Sequence, residues 1–177
     1  MILIYECAQT LASYAKQGRN NHFPDFHQCP ACKAQNRLKR HGFYERNALE
    51  DGVSYRIPIC RLKCRSCNQT FSLLPDFLIP YFQYTLSFVM KRLKERLVQA
   101  KTPMNERIRQ LIRFYVKRFC SQLTQVIMFF RHQGWKEKIP DDEKAKAINL
   151  LEMISAFGEA PFLRRSRGHF QRSFMAK

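Results

Sequence analysis

The sequence predicts an α+β chain, with a small β-hairpin organised by four cysteines followed by an all-α helical bundle. Three observations predict it. Two Cys-x-x-Cys pairs, Cys29–Cys32 and Cys64–Cys67, bracket a stretch of short alternating segments around Asp51-Gly52. From about residue 84 to 158, apolar residues recur at the spacing of one helix face. The 177 residues are 45% hydrophobic, enough to build one domain or two small ones around a real core.

The elements follow in order. Residues 1–26 form an N-terminal extension with a short helical pattern around Leu11–Lys16 and a polar break at Gly18–Asn21. Residues 27–76 hold the cysteine pairs and are punctuated by Pro30, Gly42, Gly52 and Pro58, a β-like texture. Strands are expected over Leu38–Arg46 and Val53–Lys63, joined at Glu50-Asp51-Gly52, since Asp-Gly is a strong hairpin signal. Residues 77–158 turn helical. Leu86, Val89, Met90, Leu93 and Leu97 share a face, predicting a helix over Leu86–Gln99. Thr102 and Pro103 suit the start of the next helix, expected over Met104–Phe119. From Ile108 to Phe130 one apolar phase persists, consistent with one long helix or with two joined near Cys120–Ser121. Pro140, Asp141, Asp142 and Glu143 open a last helix, acidic where the helix dipole favours it, and Gly158 closes it. Residues 159–177 are a basic tail.

The cysteine pattern is the strongest motif. Two Cys-x-x-Cys knuckles supply four thiolates, which close a tetrahedral site and leave no position for a reacting water. The expectation is one structural Zn2+ held by Cys29, Cys32, Cys64 and Cys67, with the two knuckles at the base of the hairpin, a zinc ribbon. Lys33, Lys63 and Arg65 beside the knuckles favour the net negative charge of such a site. Cys7, Cys60 and Cys120 are expected as small buried hydrophobes. His22, His27 and His41 are not needed as ligands once four cysteines fill the site.

Charge narrows the partners. With 31 Lys+Arg against 14 Asp+Glu, the formal charge is +17, a self-repulsion best tolerated against a polyanion. No run of eighteen apolar residues exists, and no charged region precedes the apolar N-terminal patch. The expected compartment is therefore the cytoplasm, in association with the nucleoid, with reduced cysteines and no membrane partner. Candidate phosphate contacts are Lys39, Arg40, Arg46, Arg61, Lys63 and Arg65 on the ribbon. On the third helical segment Arg109, Arg113 and Lys117 form a stripe opposite Ile108, Leu111, Ile112 and Tyr115. In the tail, Arg164, Arg165 and Arg167 suit a phosphate track or a minor groove.

A resemblance supports this reading. The sequence carries Cys29-Pro-Ala-Cys32, then Arg40-His41-Gly42-Phe43-Tyr44-Glu45-Arg46, then Cys64-Arg-Ser-Cys67, then Thr70-Phe71-Ser72-Leu73-Leu74-Pro75. The order resembles the N-terminal zinc ribbon of bacterial insertion-sequence transposases and a group of short transposase-like bacterial proteins, over about residues 27–135. The resemblance implies that a helix-turn-helix follows the ribbon and that the pair binds the ends of a mobile element. Leu86–Gln99 and Met104–Phe119 would supply the two helices, although Ala100-Lys101-Thr102-Pro103 lacks the usual glycine.

An enzyme is not expected. The carboxylates are scattered apart from Asp141–Glu143, which a helix start explains, and no glycine-rich phosphate loop is present. The expected function is a zinc-dependent DNA-binding accessory or regulatory protein of a bacterial mobile element, acting on double-stranded DNA. Two alternatives stand beside it. An RNA-binding module would stack bases on Phe43, Tyr44 or Tyr55. An adaptor would dock a larger transposase or nuclease subunit through the aromatic Phe77–Phe88 stretch.

Overall fold

The computed structural model describes residues 1–101, 103, 105–170 and 174–175, and the side chains of all of these except 168–170. The chain is α+β and divides into two compact units, Met1–Thr85 and Leu86–Lys177.

The first unit is a four-stranded sheet with one short helix. Its strands are β1 (Ile2–Tyr5), β2 (Leu38–Glu50), β3 (Val53–Cys64) and β4 (Thr70–Pro75), in the order β1-β4-β3-β2. The hairpin β2–β3 forms as the sequence predicts, but both strands run further, to Glu50 and Cys64. Its turn has Asp51 at φ 46° and Gly52 at φ 84°, two left-handed residues that match the twist of the flanking strands. Opposite Arg61 alone, strand β2 carries two residues, His41 and Gly42, a bulge of one extra residue between the pairs Arg40–Leu62 and Phe43–Cys60. Gly42 sits there at φ 100°, a conformation L side chains rarely adopt.

Residues 1–26 are not an extension of this unit but part of it. Strand β1 pairs in parallel with β4, Ile2 opposite Ser72 through Tyr5 opposite Pro75. Helix α1 (Leu11–Gln17), capped by Thr10 Oγ1 accepting from Ser13 N–H, packs on β3. Tyr5, Leu11, Tyr14 and Phe23 then join Ile57, Ile59, Leu62, Phe71 and Leu73 in one buried core. The loop after β4 also belongs here, so the units part after Thr85 and not after Asp76.

The second unit comprises α2 (Leu86–Leu97), α3 (Glu106–Cys120), α4 (Leu123–His132), α5 (Glu143–Phe157) and α6 (Glu159–Phe170). Central α5 meets each of the other four helices. The rings of Phe129, Phe130, Phe157 and Phe162 pack edge to face around it, apart from the stacked pair Phe130–Phe162. The long apolar phase resolves into two helices, α3 and α4, separated by Ser121 and Gln122. The cap of α3 is Asn105, whose side chain accepts from Arg107 and Ile108 N–H; Thr102 and Met104 lie outside the described residues. Asp142 caps α5 by accepting from Ala145 N–H, and Gly158 ends it at φ 96°. The basic tail is in large part the helix α6, whose Phe162 and Leu163 are buried.

Candidate functional site

The four cysteines of the two knuckles converge. Their Sγ atoms all lie within 4.8 Å of one another. Cys29–Cys67 and Cys32–Cys64 are each 3.7 Å apart, sulfur to sulfur. A tetrahedral metal with arms of about 2.3 Å has edges of about 3.8 Å, so the donor set fits a four-thiolate metal centre.

The backbone explains how so small a segment places four sulfurs. The two knuckles are the same turn built twice. In the first, Lys33 N–H donates to Cys29 C=O and Cys29 N–H to Ala34 C=O. In the second, Asn68 N–H donates to Cys64 C=O and Cys64 N–H to Gln69 C=O. The residue after each second cysteine is left-handed, Lys33 at φ 62° and Asn68 at φ 57°. Asparagine accepts that conformation readily and lysine does so at a cost. Arg65 N–H donates to Arg37 C=O at 2.9 Å and ties one knuckle to the other, while His27 Nδ1 and Asn36 Oδ1 close the first at 3.0 Å.

Electrostatics agree with a cation at the centre. Amide N–H groups of Cys67 and Ser66 aimed at Cys64 hold its thiol down to about 6. Cys67 receives the Gln69 amide, yet burial and the three neighbouring sulfurs push it up to about 12. Four thiolates thus repel one another unless a positive ion stands between them. Cys60 is fully buried as expected, whereas Cys7 and Cys120 are only half-buried. Burial raises all three thiols, and none joins the cluster.

The predicted cations separate into two groups. Lys39, Arg40, Lys63 and Arg65 come together with His41 and Asn68 around a cleft of about 300 Å³ beside the second knuckle, and no carboxylate lines it. Lys39 stands directly opposite Lys63 across the hairpin. Arg61, two residues before Lys63, projects from the same face of the sheet and is half-buried.

Others are engaged elsewhere. Arg46 is a framework residue: its guanidinium donates to the carbonyls of Ile79 and Phe82 and fastens the loop after β4. Arg109 donates to Pro103 C=O at 3.3 Å and pairs with Glu106 at 3.0 Å, so the stripe on α3 is partly neutralised at its start. Arg113 and Lys117 remain exposed, Arg113 with Glu106 at 4.0 Å. Arg165 is exposed and lies over the Phe157 ring, while Arg164 and Arg167 are half-buried on the same helix. The connection between α2 and α3 spans residues 98–105, longer than the three or four residues of a tight helix-turn-helix.

One feature escaped the sequence reading. A second cleft of about 290 Å³ is lined by Tyr44, Arg46, Asn47, Tyr81, Phe82 and Gln83, with Ile2 at its edge. Tyr81 was visible only as a member of an aromatic run, and nothing local marks its φ of 69°.

Fold and site together define an α+β chain with a four-cysteine candidate metal centre beside a cationic cleft. A family model described as a domain of unknown function, DUF6431, matches residues 29–114. The match starts on the first cysteine of the cluster, covers both knuckles and the hairpin, and ends within α3, just under half of the chain. No curated protein and no solved structure matches the chain.

Proposed function

We propose that this chain is a nucleic-acid-binding protein whose hairpin is organised by one structural zinc ion and whose first partner is double-stranded DNA. The observation that carries the reading is the cleft of Lys39, Arg40, His41, Lys63 and Arg65. Like charges directly opposite each other destabilise a hairpin, and Lys39 and Lys63 are so placed. Such a cluster is favourable only against an anion, and a phosphate backbone supplies anions in series. The metal's role is to fix the second knuckle and so to hold Lys63 and Arg65 opposite Lys39 and Arg40. Zinc suits a closed set of four cysteine sulfurs at these spacings. The role is binding and not catalysis, since four protein ligands leave the ion no open position.

Arg113, Lys117 and Arg165 are among the exposed cations of the helical unit and extend the reading beyond the hairpin. Among the described residues no helix is long and apolar enough to cross a membrane. Placement in a mobile element, as an accessory or regulatory factor, rests on the resemblance of the cysteine and hairpin motifs alone.

The test is binding of the zinc-loaded chain to duplex DNA across a salt series, followed by fluorescence anisotropy. The affinity is expected to fall steeply with salt. The Lys39→Ala/Lys63→Ala/Arg65→Ala variant should lower the log–log slope by about one per phosphate contact removed. Binding that is absent, or a variant with unchanged slope, would overturn the reading.

A further inference from the structure

The geometry points to a nucleobase site in the cleft of Tyr44, Asn47, Tyr81 and Gln83, fitted to an unpaired base of a single-stranded nucleic-acid segment. The inference rests on the nucleic-acid reading above and adds a single-stranded segment to the duplex it binds.

Two aromatic rings reach solvent at this cleft. Tyr81 is 83% exposed and Tyr44 is 38% exposed. A large side chain left in water on a chain with many buried rings is a surface available for stacking. Gln83 on the loop and the backbone of β2 at Asn47 border them. The Gln83 side chain carries a donor and an acceptor together, which is the complement of a base edge. Rings for the face of a base and an amide residue for its edge line one cleft.

The site is rigid. The loop carrying Tyr81 is held on both sides: Arg46 donates to Ile79 and Phe82 carbonyls, Leu49 N–H to Gln83 C=O at 2.8 Å, and Thr85 N–H to Leu49 C=O at 3.1 Å. Phe82 N–H closes the turn onto Ile79 C=O at 3.2 Å. Tyr81 at its tip is left-handed, φ 69°, a conformation costly for an aromatic residue and maintained by these bonds. The chain therefore fixes the backbone that presents an exposed ring.

Position supplies the charge complementarity. Cross-strand partners share a face, so Tyr44 opposite Ile59 lies on the same face as Arg61 and Lys63, two and four residues along β3. That places the Tyr44 ring about 14 Å from the Lys39–Lys63 pair at the strand rise of about 3.4 Å per residue. Four nucleotides of a stacked strand cover about the same distance, the lower limit of known single-strand sites. Phosphates would sit at Lys39, Lys63 and Arg61, and the base at Tyr44 and Tyr81.

Binding of the full-length, zinc-loaded chain to three probes tests this: a thymidine strand of about twelve nucleotides, an abasic strand of equal length and charge, and duplex DNA. The thymidine strand is expected to bind about ten-fold more tightly than the abasic one. Tyr81→Asn, which keeps a residue tolerant of the left-handed backbone, should bring it to the abasic level and leave duplex affinity and its salt slope unchanged. Tyr81→Phe should retain the difference. Equal binding of thymidine and abasic strands, or a Tyr81→Asn variant indistinguishable from the parent, would overturn the base site while duplex binding stands. Failure of all three probes to bind would overturn the nucleic-acid reading and this site with it.

Discussion

Arg46 shows how a single side chain can change its role once the chain is folded. By composition it belongs with the phosphate-binding cations, yet its guanidinium is spent on two loop carbonyls and burial holds its pKa below the ordinary value. Arg46→Ala leaves those carbonyls unpaired and should destabilise the first unit by about 1–3 kcal/mol. Arg46→Lys should recover only part of this, because an ammonium cannot span two acceptors as a planar fork does. The sole tryptophan, Trp135, is in the second unit, so the readout is hydrogen exchange of β3 amides and not tryptophan fluorescence. Tyr14 makes a second prediction at this scale. Its hydroxyl donates to Pro58 C=O at 3.0 Å inside the core, and burial raises its pKa to about 12 from an ordinary 10.0. A raised acid is stabilised in its protonated form. Its contribution is complete below pH 10 and is lost as pH climbs towards 12. Tyr5, raised by the same burial, adds to the loss. Titration followed at the tyrosinate absorbance should therefore show buried tyrosines ionising only as the first unit unfolds, and Tyr14→Phe should make that alkaline transition less steep.

At the scale of elements, the hairpin bulge links backbone conformation to the cationic cleft. A Cβ on Gly42 would meet nothing within 4 Å, so Gly42→Ala introduces no clash. The φ of 100° alone penalises it, by roughly 1–2 kcal/mol. The bulge also sets which way Lys39, Arg40 and His41 face relative to Lys63. Gly42→Ala is therefore expected to weaken duplex binding and reduce its salt slope in addition to lowering stability, whereas a surface substitution of equal stability cost should move stability alone. The elements differ in how far they could be read from sequence, and the reasons are physical. The hairpin was legible because Asp-Gly and strand alternation are local signals, and the four-cysteine cluster was legible because two knuckles at one spacing admit few other arrangements. The α3–α4 boundary was not. Ser121 (φ −65°, ψ −10°) and Gln122 (φ −113°, ψ 3°) stay near helical geometry, so the apolar phase passes through the break undisturbed. The pairing of β1 with β4 was also hidden, because parallel strands some seventy residues apart in sequence leave no mark in either segment by itself.

For the whole molecule the question is what stabilises each unit under a charge of +17. Each unit has its own core, one around Ile57, Ile59, Phe71 and Leu73 and one around Phe129, Leu150, Ile154 and Phe162. The four-cysteine centre belongs wholly to the first. A metal bound there would contribute its binding free energy to the folding of the knuckles, since four thiolates otherwise repel one another. It is not folding free energy for the helices, whose buried residues include none of those cysteines. Removing the metal with a strong chelator should therefore act locally. Amide protection is expected to collapse over residues 27–37 and 63–70, while the helical dichroism of α2 to α6 and the fluorescence of Trp135 stay near their starting values. The cationic cleft should be lost in the same step, because Lys63 and Arg65 are positioned by the second knuckle. Duplex affinity should then drop towards that of the Lys39→Ala/Lys63→Ala/Arg65→Ala variant, and chelating that variant should weaken it little further. A chelated chain that loses helicity in step with knuckle protection would instead show that the metal stabilises both units as one cooperative fold.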